Sequence, residues 1–211
     1  MIHPTAVIYP GAQIDEGVEI GPHAVIGQNV KIGKGTRIGA NAVIDGWTTI
    51  GENNKISQLA SVGAPPQDIK YKGEPTTLEI GNNNVIREFV TMHCGSPSGT
   101  GKTVVGNSNM FMSYSHIAHD CIVGSNVIMA NSATLAGHVM VENNVIFGGL
   151  CAVHQFTRIG EFAMIGGGTM IGQDILPYTI ATSEERRAAK LRGLNLIGLK
   201  RNGFSEDLIR D

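Results

Sequence analysis

Large aliphatic residues recur every six positions from the start of the chain. Reading from Ile2, the series runs Ile8, Ile14, Ile20, Ile26, Ile32, Ile38, Ile44, Ile50, Ile56 and Val62, eleven β-branched residues in unbroken register. It resumes at Ile80, Ile86 and Met92, shifts by one residue, and continues from Val105 through Phe111, Ile117, Val123, Met129, Leu135, Val141, Phe147, Val153, Ile159 and Ile165 to Ile171. Four positions after each large residue stands a small one, such as Ala6, Ala12, Ala24, Ala42, Cys121, Ala133 or Cys151. Glycine often follows the large residue directly, as at Gly21, Gly27, Gly33, Gly39 and Gly51. An amphipathic helix would need apolar residues three and four apart with few glycines. A lone strand would alternate with period two. A period of six with small residues predicts short strands joined by tight corners and stacked into a solenoid.

This pattern resembles the hexapeptide-repeat acyltransferases, and the resemblance implies their left-handed parallel β-helix, with three hexads to each 18-residue coil of a triangular prism. The general crossover rule would have given the opposite hand. The expected fold class is therefore all-β: a β-helix over residues 1–178, then a short α-helical C-terminal segment over 179–211. Such a rod is also a scaffold, and fold alone does not give function. Function has to be sought where the repeat departs from its habit.

Residues 63–79 and 98–104 depart from it and read as external loops, the first rich in Pro and Gly and of mixed charge, the second a smaller insertion. Val62 and Ile80 are 18 residues apart, so the first loop is expected to occupy one full coil. The second shifts the phase by one. Ser183, with Glu184 and Glu185 behind it, has the character of a helix N-cap with an acidic first turn, predicting a short helix that ends near Gly193. Ser205, Glu206 and Asp207 predict a second helix start, and the helical segment is expected to be truncated at Asp211.

Composition narrows the function classes. Aromatic residues make up only 5% and glycine contributes 28 residues, which suits a narrow core of small aliphatics. The net charge of −2, without a basic block, argues against a nucleic-acid partner. No signal-peptide pattern stands at the N-terminus, and no apolar run approaches the ~18 residues of a membrane span. Cys94, Cys121 and Cys151 are odd in number and irregularly spaced, which argues against a disulfide framework and for a reducing cytoplasm.

Four of the seven histidines fall between His116 and His154. An 18-residue coil stacks Ile117, Leu135 and Val153 and so aligns His119, Gly137 and Gln155; Asp120 and His138 form the neighbouring column. His154 takes a position usually given to Gly on the same face, and His116 stands at its leading corner. A lone surface His is usually a solvated residue. Several converging on one face point to chemistry. A His is the natural general base near neutral pH, and a carboxylate fixes its tautomer and stabilises its cation. His119 and Asp120 fit that pairing in type, although strand neighbours point to opposite sides, so Asp120 is expected to act across a corner or between subunits. Gly137 would let a backbone N–H approach a substrate oxygen. Zinc is the rival reading, because hexapeptide-repeat carbonic anhydrases bind it between subunits. Their H-x4-H pair is missing here, where the spacing is H-x2-H, so no metal is expected.

Five motifs together sharpen the resemblance: Gly63-x-x-x-Gln67-Asp68-x-Lys70-Tyr71-x-Gly73-Glu74-Pro75-Thr76; His116-Ile117-Ala118-His119-Asp120; Asn131-x-Ala133-Thr134-Leu135-Ala136-Gly137-His138; Ala152-Val153-His154-Gln155-Phe156; and Gly198-Leu199-Lys200-Arg201-x-Gly203-Phe204. Over essentially the whole chain it resembles the acyl-carrier-protein–UDP-N-acetylglucosamine O-acyltransferases that begin lipid A synthesis. The resemblance implies transfer of a 3-hydroxyacyl chain from the phosphopantetheine thioester of acyl carrier protein to the glucosamine 3-hydroxyl, with no further cofactor. It implies His119 as base, Asp120 as its orienter and the Gly137 amide as oxyanion donor. Gln67, Asp68, Lys70, His116, His138, His154, Gln155 and Arg201 would contact sugar, nucleotide or pantetheine. Gly167, with Met164 near it, would be the acyl-chain ruler, and the assembly would be a homotrimer with its site between subunits.

The chain departs from that family between Thr182 and Asn195, at Asn202 where a second basic residue is expected, and beyond Asp211, where helices that help bind the carrier protein are expected. Two alternatives stand beside the O-acyltransferase. One is an N-acyltransferase acting on a 3-amino sugar; its later-step relatives carry an extra N-terminal domain, whereas here the repeat begins at Ile2. The other is a non-catalytic trimeric scaffold, which would have no need of the histidine face.

Overall fold

The computed structural model describes residues 1–183 and 189–210. The hexads form strands of mostly two residues, each a variable outward residue followed by the large inward one, as in Val25–Ile26 and Thr134–Leu135. They stack into three parallel sheets, the faces of a triangular prism. The first face runs from Val7–Ile8 to Met170–Ile171, the second from Gln13–Ile14 to Arg158–Ile159, and the third from Glu19–Ile20 to Thr179–Thr182. Register follows the sequence: Ile26 pairs with Ile44, and Ile117 with Leu135, which pairs with Val153.

The corners turn through left-handed backbone. Asn41, Leu59, Asn126, Asn144 and many equivalent residues have φ near +60°. Asn tolerates this conformation through its short polar side chain, so the variable hexad position carries the chirality of the turn. Inside, Ile26, Ile44, Val62, Ile86, Met92, Ile117 and Leu135 are fully buried, with Ala24, Ala42 and Ala133 filling the narrower corners. Each large aliphatic contributes roughly 1.5–3 kcal/mol by leaving water. The three cysteines are free and buried; burial pushes the Cys94 thiol up to about 11 and the Cys121 thiol to about 12, so they serve as small core residues. No helix among the described residues is long and apolar enough to cross a membrane.

Both interruptions differ from their sequence reading. Ile80 lies on the second face and pairs with Ile50, 30 residues away, whereas Val62 lies on the first face. The first loop is thus a corner insertion of two hexads' length, which leaves the sequence phase intact without forming a coil. The second is shorter than 98–104, because Lys102–Val105 is a strand paired with Thr77–Ile80. The coil carrying it is 25 residues long, from Ile80 to Val105, which accounts for the shift of one.

The C-terminal segment is not wholly helical. Thr179–Thr182 extends the third face beside Met164–Ile165, and Lys190–Leu194 returns antiparallel to it. The helix expected to end near Gly193 is therefore a strand over that part, because a sheet edge stood open to pair with it; residues 184–188 lie outside the described residues. Helix α1 (Leu196–Arg201) follows, with the Asn195 side chain accepting from the Gly198 amide, and α2 (Glu206–Arg210) starts at the expected Ser205, whose Oγ accepts from the Leu208 amide.

One polar column runs through the core. Asn54, Asn84 and Asn109 are fully or almost fully buried. Asn84 Nδ2 donates to Asn54 Oδ1 and to the Gly106 carbonyl, both at 3.0 Å, and the Asn109 amide donates to Asn84 Oδ1 at 3.0 Å. Asn84→Ala would orphan the Asn109 amide and the Gly106 carbonyl, at about 1–3 kcal/mol for each buried group left unmatched. Urea denaturation should show that loss as a lower midpoint with an unchanged slope.

Candidate active site

The strand His116–Ile117 lies on the first face between Thr91–Met92 and Thr134–Leu135. After Ala118 the chain turns towards the second face, and Asp120 takes φ 59°. That left-handed residue breaks the alternation of a strand, so two sequence neighbours meet. His119 Nδ1 and Asp120 Oδ2 are 2.8 Å apart, with side chains 16% and 0% exposed. Of the two expected routes, across a corner or between subunits, the structure shows the first: the corner itself makes the contact within one chain.

Gly137, one coil on, lies directly against the His119 ring: a Cβ there would stand 2.6 Å from Cε1 and 2.8 Å from Nε2. Its own N–H makes no hydrogen bond among the described residues. In the next column His138, φ 62°, sets its ring edge-on to His119 at 5.1 Å and stacks on Phe156 at 4.4 Å. The base is boxed by Asp120, Gly137 and His138.

Asp120 is also enclosed by donors. Its Oδ1 accepts from the Thr100 amide (2.7 Å), the Thr100 hydroxyl (2.9 Å) and the Gly101 amide (3.0 Å), and its Oδ2 from the Ser96 amide (2.9 Å). Burial, the largest single influence, raises its pKa, yet the bonds from His119, Ser96 and Thr100 together outweigh it and hold the carboxyl below its ordinary value. A fixed carboxylate keeps the His119 proton on Nδ1 and leaves Nε2 to accept one. His119, Asp120 and His138 also bring three potential ligand atoms within 4.8 Å of one another. Five donors already surround the two Asp120 oxygens, which offer about four lone pairs, so this donor set fits a dyad better than a cation.

The other expected residues divide into four groups. His116 Nδ1 lies 2.7 Å from Thr91 Oγ1; burial and then the charge of His119 push its pKa down. His154 and Gln155 are exposed one coil beyond Gly137, with His154 Nδ1 3.1 Å from the Gln155 carbonyl. Asp68 bonds the Ser96 hydroxyl, the Ser98 hydroxyl (2.8 Å) and the Lys70 amide (2.9 Å), bonds that hold its pKa well below the carboxylate range; Gln67 and Lys70 flank it on the exposed loop. Gly167 and Met164 belong to the third face and the corner after it, and Arg201 stands in α1 beside the corner of Phe162 and Tyr178. One chain does not bring those three to His119.

Sequence reasoning missed Ser96, Ser98, Thr100 and Thr103, whose Oγ1 accepts from the Asp120 amide at 2.9 Å. Their trace in the sequence was the interruption at 98–104 and its shift of phase by one, neither of which assigns them a role. It also missed His93, which is 5% exposed and edge-on to His116 at 4.9 Å, its Nδ1 without a partner among the described residues; burial, with His116 and His119 adding to it, pushes its pKa down to about 4, so this ring stays neutral.

Known proteins match this arrangement. Residues 29–64 and 102–137 match the family described as bacterial transferase hexapeptide (six repeats), and residues 174–211 match UDP N-acetylglucosamine O-acyltransferase, domain 2. The acyl-[acyl-carrier-protein]–UDP-N-acetylglucosamine O-acyltransferase of Burkholderia orbicola is 56% identical over 208 residues, 99% of this chain and 78% of that protein. The crystal structure of the UDP-N-acetylglucosamine O-acyltransferase from Moraxella catarrhalis superimposes with a TM-score of 0.95 at 44% identity, covering 99% of this chain and 80% of that one. The UDP-N-acetylglucosamine acyltransferase of Francisella novicida gives 0.96 at 41% identity, covering 98% and 75%. Superposition this close requires the same hand, so the prism is a left-handed parallel β-helix. A left-handed rod with a His119–Asp120 dyad at its corner, 56% identical over 99% of its length to the Burkholderia enzyme, belongs to the acyl-[acyl-carrier-protein]–UDP-N-acetylglucosamine O-acyltransferase family.

Proposed function

We propose that this protein transfers a 3-hydroxyacyl chain from acyl carrier protein to the 3-hydroxyl of UDP-N-acetylglucosamine, the first step of lipid A synthesis. The observation that carries it is the His119–Asp120 contact at 2.8 Å beside the unengaged Gly137 N–H. His119 Nε2 takes the proton as the sugar oxygen attacks the thioester carbonyl. The oxyanion of the tetrahedral intermediate accepts from the Gly137 amide. Collapse breaks the carbon–sulfur bond, and His119 returns the proton to the phosphopantetheine sulfur. The donor is itself the pantetheine carrier, so the residues supply base, orientation and oxyanion donor without a metal or a further cofactor. Gln67, Asp68, Lys70, His116, His138, His154 and Gln155 line the approach to the dyad.

The working unit is a homotrimer in the cytoplasm. Met164 and Gly167 stand on the third face and the corner after it, and Arg201 stands in α1, so acyl ruler, nucleotide contact and base converge only when a second copy supplies some of them. The test is an acyl-transfer assay with UDP-N-acetylglucosamine and its 3-amino analogue, using carrier protein loaded with several chain lengths. Transfer to the hydroxyl acceptor is expected; no acylated sugar nucleotide from any donor would overturn the reading, and transfer to the amine alone would replace it with the N-acyl one. Gly167 is exposed, and a Cβ there meets nothing nearer than the Gly149 carbonyl at 3.3 Å. Gly167→Met should therefore fold and move the preference towards shorter chains, read as ratios of kcat/KM across the donor series.

A further inference from the structure

The second interruption is more than a break in the repeat. Residues 95–101 form a tight turn, with the Gly99 and Gly101 amides donating to the Ser96 carbonyl at 3.0 and 3.2 Å. The turn presses on the dyad so closely that a Cβ on Gly99 would stand 2.5 Å from Asp120 Cγ and 2.5 Å from His138 Cε1. From this turn come the four donors, other than His119, that hold the Asp120 carboxylate. Its far side is tied to the first loop, where Asp68 Oδ2 accepts from both Ser96 Oγ and Ser98 Oγ. A continuous path thus runs from Asp68 through Ser96 to Asp120 and His119.

We propose that the 95–101 turn is a clamp on the Asp120 carboxylate, locked by Asp68, and that Thr100, Ser96, Ser98 and Asp68 are positioning residues for His119. The inference rests on His119 acting as the base of the proposed reaction. The clamp explains why the register shifts here: a hexad corner offers one residue at the turn, too few to surround two carboxylate oxygens. It also changes the role of Asp68, whose carboxylate faces the turn and carries three hydrogen bonds within the chain.

The sharpest probe is Thr100, which is exposed and tolerates substitution without a cavity. Thr100→Val removes the hydroxyl, which lies 2.9 Å from Asp120 Oδ1 and 3.0 Å from the Lys102 carbonyl, and leaves the backbone amide. It should lower kcat about tenfold, the loss expected for one hydrogen bond to a charged group, with KM for the sugar nucleotide little changed. Thr100→Ser should restore most of the rate. The second readout needs no substrate: 15N shifts of the His119 ring in the free protein should show the Nδ1–H tautomer in the wild type and in Thr100→Ser, and a shifted tautomer balance in Thr100→Val. Asp68→Asn should disturb the same ring signal from the far end of the path. An unchanged rate in Thr100→Val, or an unchanged ring signal in both Thr100→Val and Asp68→Asn, overturns the clamp. If the wild type acylates no sugar nucleotide, the proposed reaction fails and the ring signal alone decides the clamp.

Discussion

His119→Ala is expected to lower kcat by about 10²–10⁴-fold, the usual contribution of a positioned general base. The ring sits 2.8 Å from an ionised, fully buried carboxylate and leaves only Nε2 facing outward. The fold should tolerate the change. His119 follows its strand at a corner, the first-face ladder is held by backbone bonds from Ile117 and its neighbours, and Asp120 keeps four other donors. KM for the sugar nucleotide should change little, because the lost interaction is made in the transition state. Thermal unfolding that matches the wild type, together with the kinetic loss, would assign the effect to chemistry. Activity retained within a few-fold would remove His119 from the mechanism and move attention to His138 or His116.

Gly137→Ala should cost nearly as much, by a different route. Its new Cβ would stand 2.6 Å from His119 Cε1, where non-bonded carbons settle at about 3.5–4.0 Å. The ring has to give way by about 1 Å. It is held at Nδ1 by Asp120 and faced by His138, so moving it breaks the dyad or its alignment with the acceptor oxygen. A misplacement of that size costs about 10²-fold. The amide of residue 137 survives the substitution, so an oxyanion contact would persist. Two roles for this glycine can therefore be separated by combining the changes. In an H119A background there is no ring to displace, and the Gly137→Ala penalty should largely vanish. A full penalty in the double variant would show that the backbone conformation at 137, rather than the room it leaves for the imidazole, is what catalysis needs.

The parts that the chain spells locally were the legible ones. Ile117, Leu135 and Val153 stack because a fixed period is a local property, and the alignment of His119 with Gly137 follows from it. Phase is a weaker guide than period. Val62 and Ile80 keep the phase while sitting on different faces, because an insertion of two hexads' length is invisible to a count of sixes. The stretch before Gly193 has helical composition but lies against an open sheet edge, and backbone pairing with Thr179–Thr182 overrides propensity over Lys190–Leu194. The surroundings of Asp120 were hidden for another reason. Three of its donors are main-chain amides, which every residue but proline carries, so no side-chain motif could announce them.

The buried asparagines bear on how the rod finds its order of assembly. Near-identical coils of isoleucine and alanine bury much the same apolar surface whichever neighbour they stack on, so apolar burial alone discriminates poorly between the correct neighbour and the next one along. The danger is greatest where the spacing of paired residues jumps to 30 and then 25. The column spans those two steps. Asn54 Oδ1 receives the Asn84 amide across the first, Asn84 Oδ1 receives the Asn109 amide across the second, and Asn109 Oδ1 then receives Val127 where regular spacing returns. A coil docked one place out of turn would strand these groups in a dry interior. The column therefore proofreads the stacking, and it does so along the stretch where the Asp68 loop and the 95–101 turn are threaded into place.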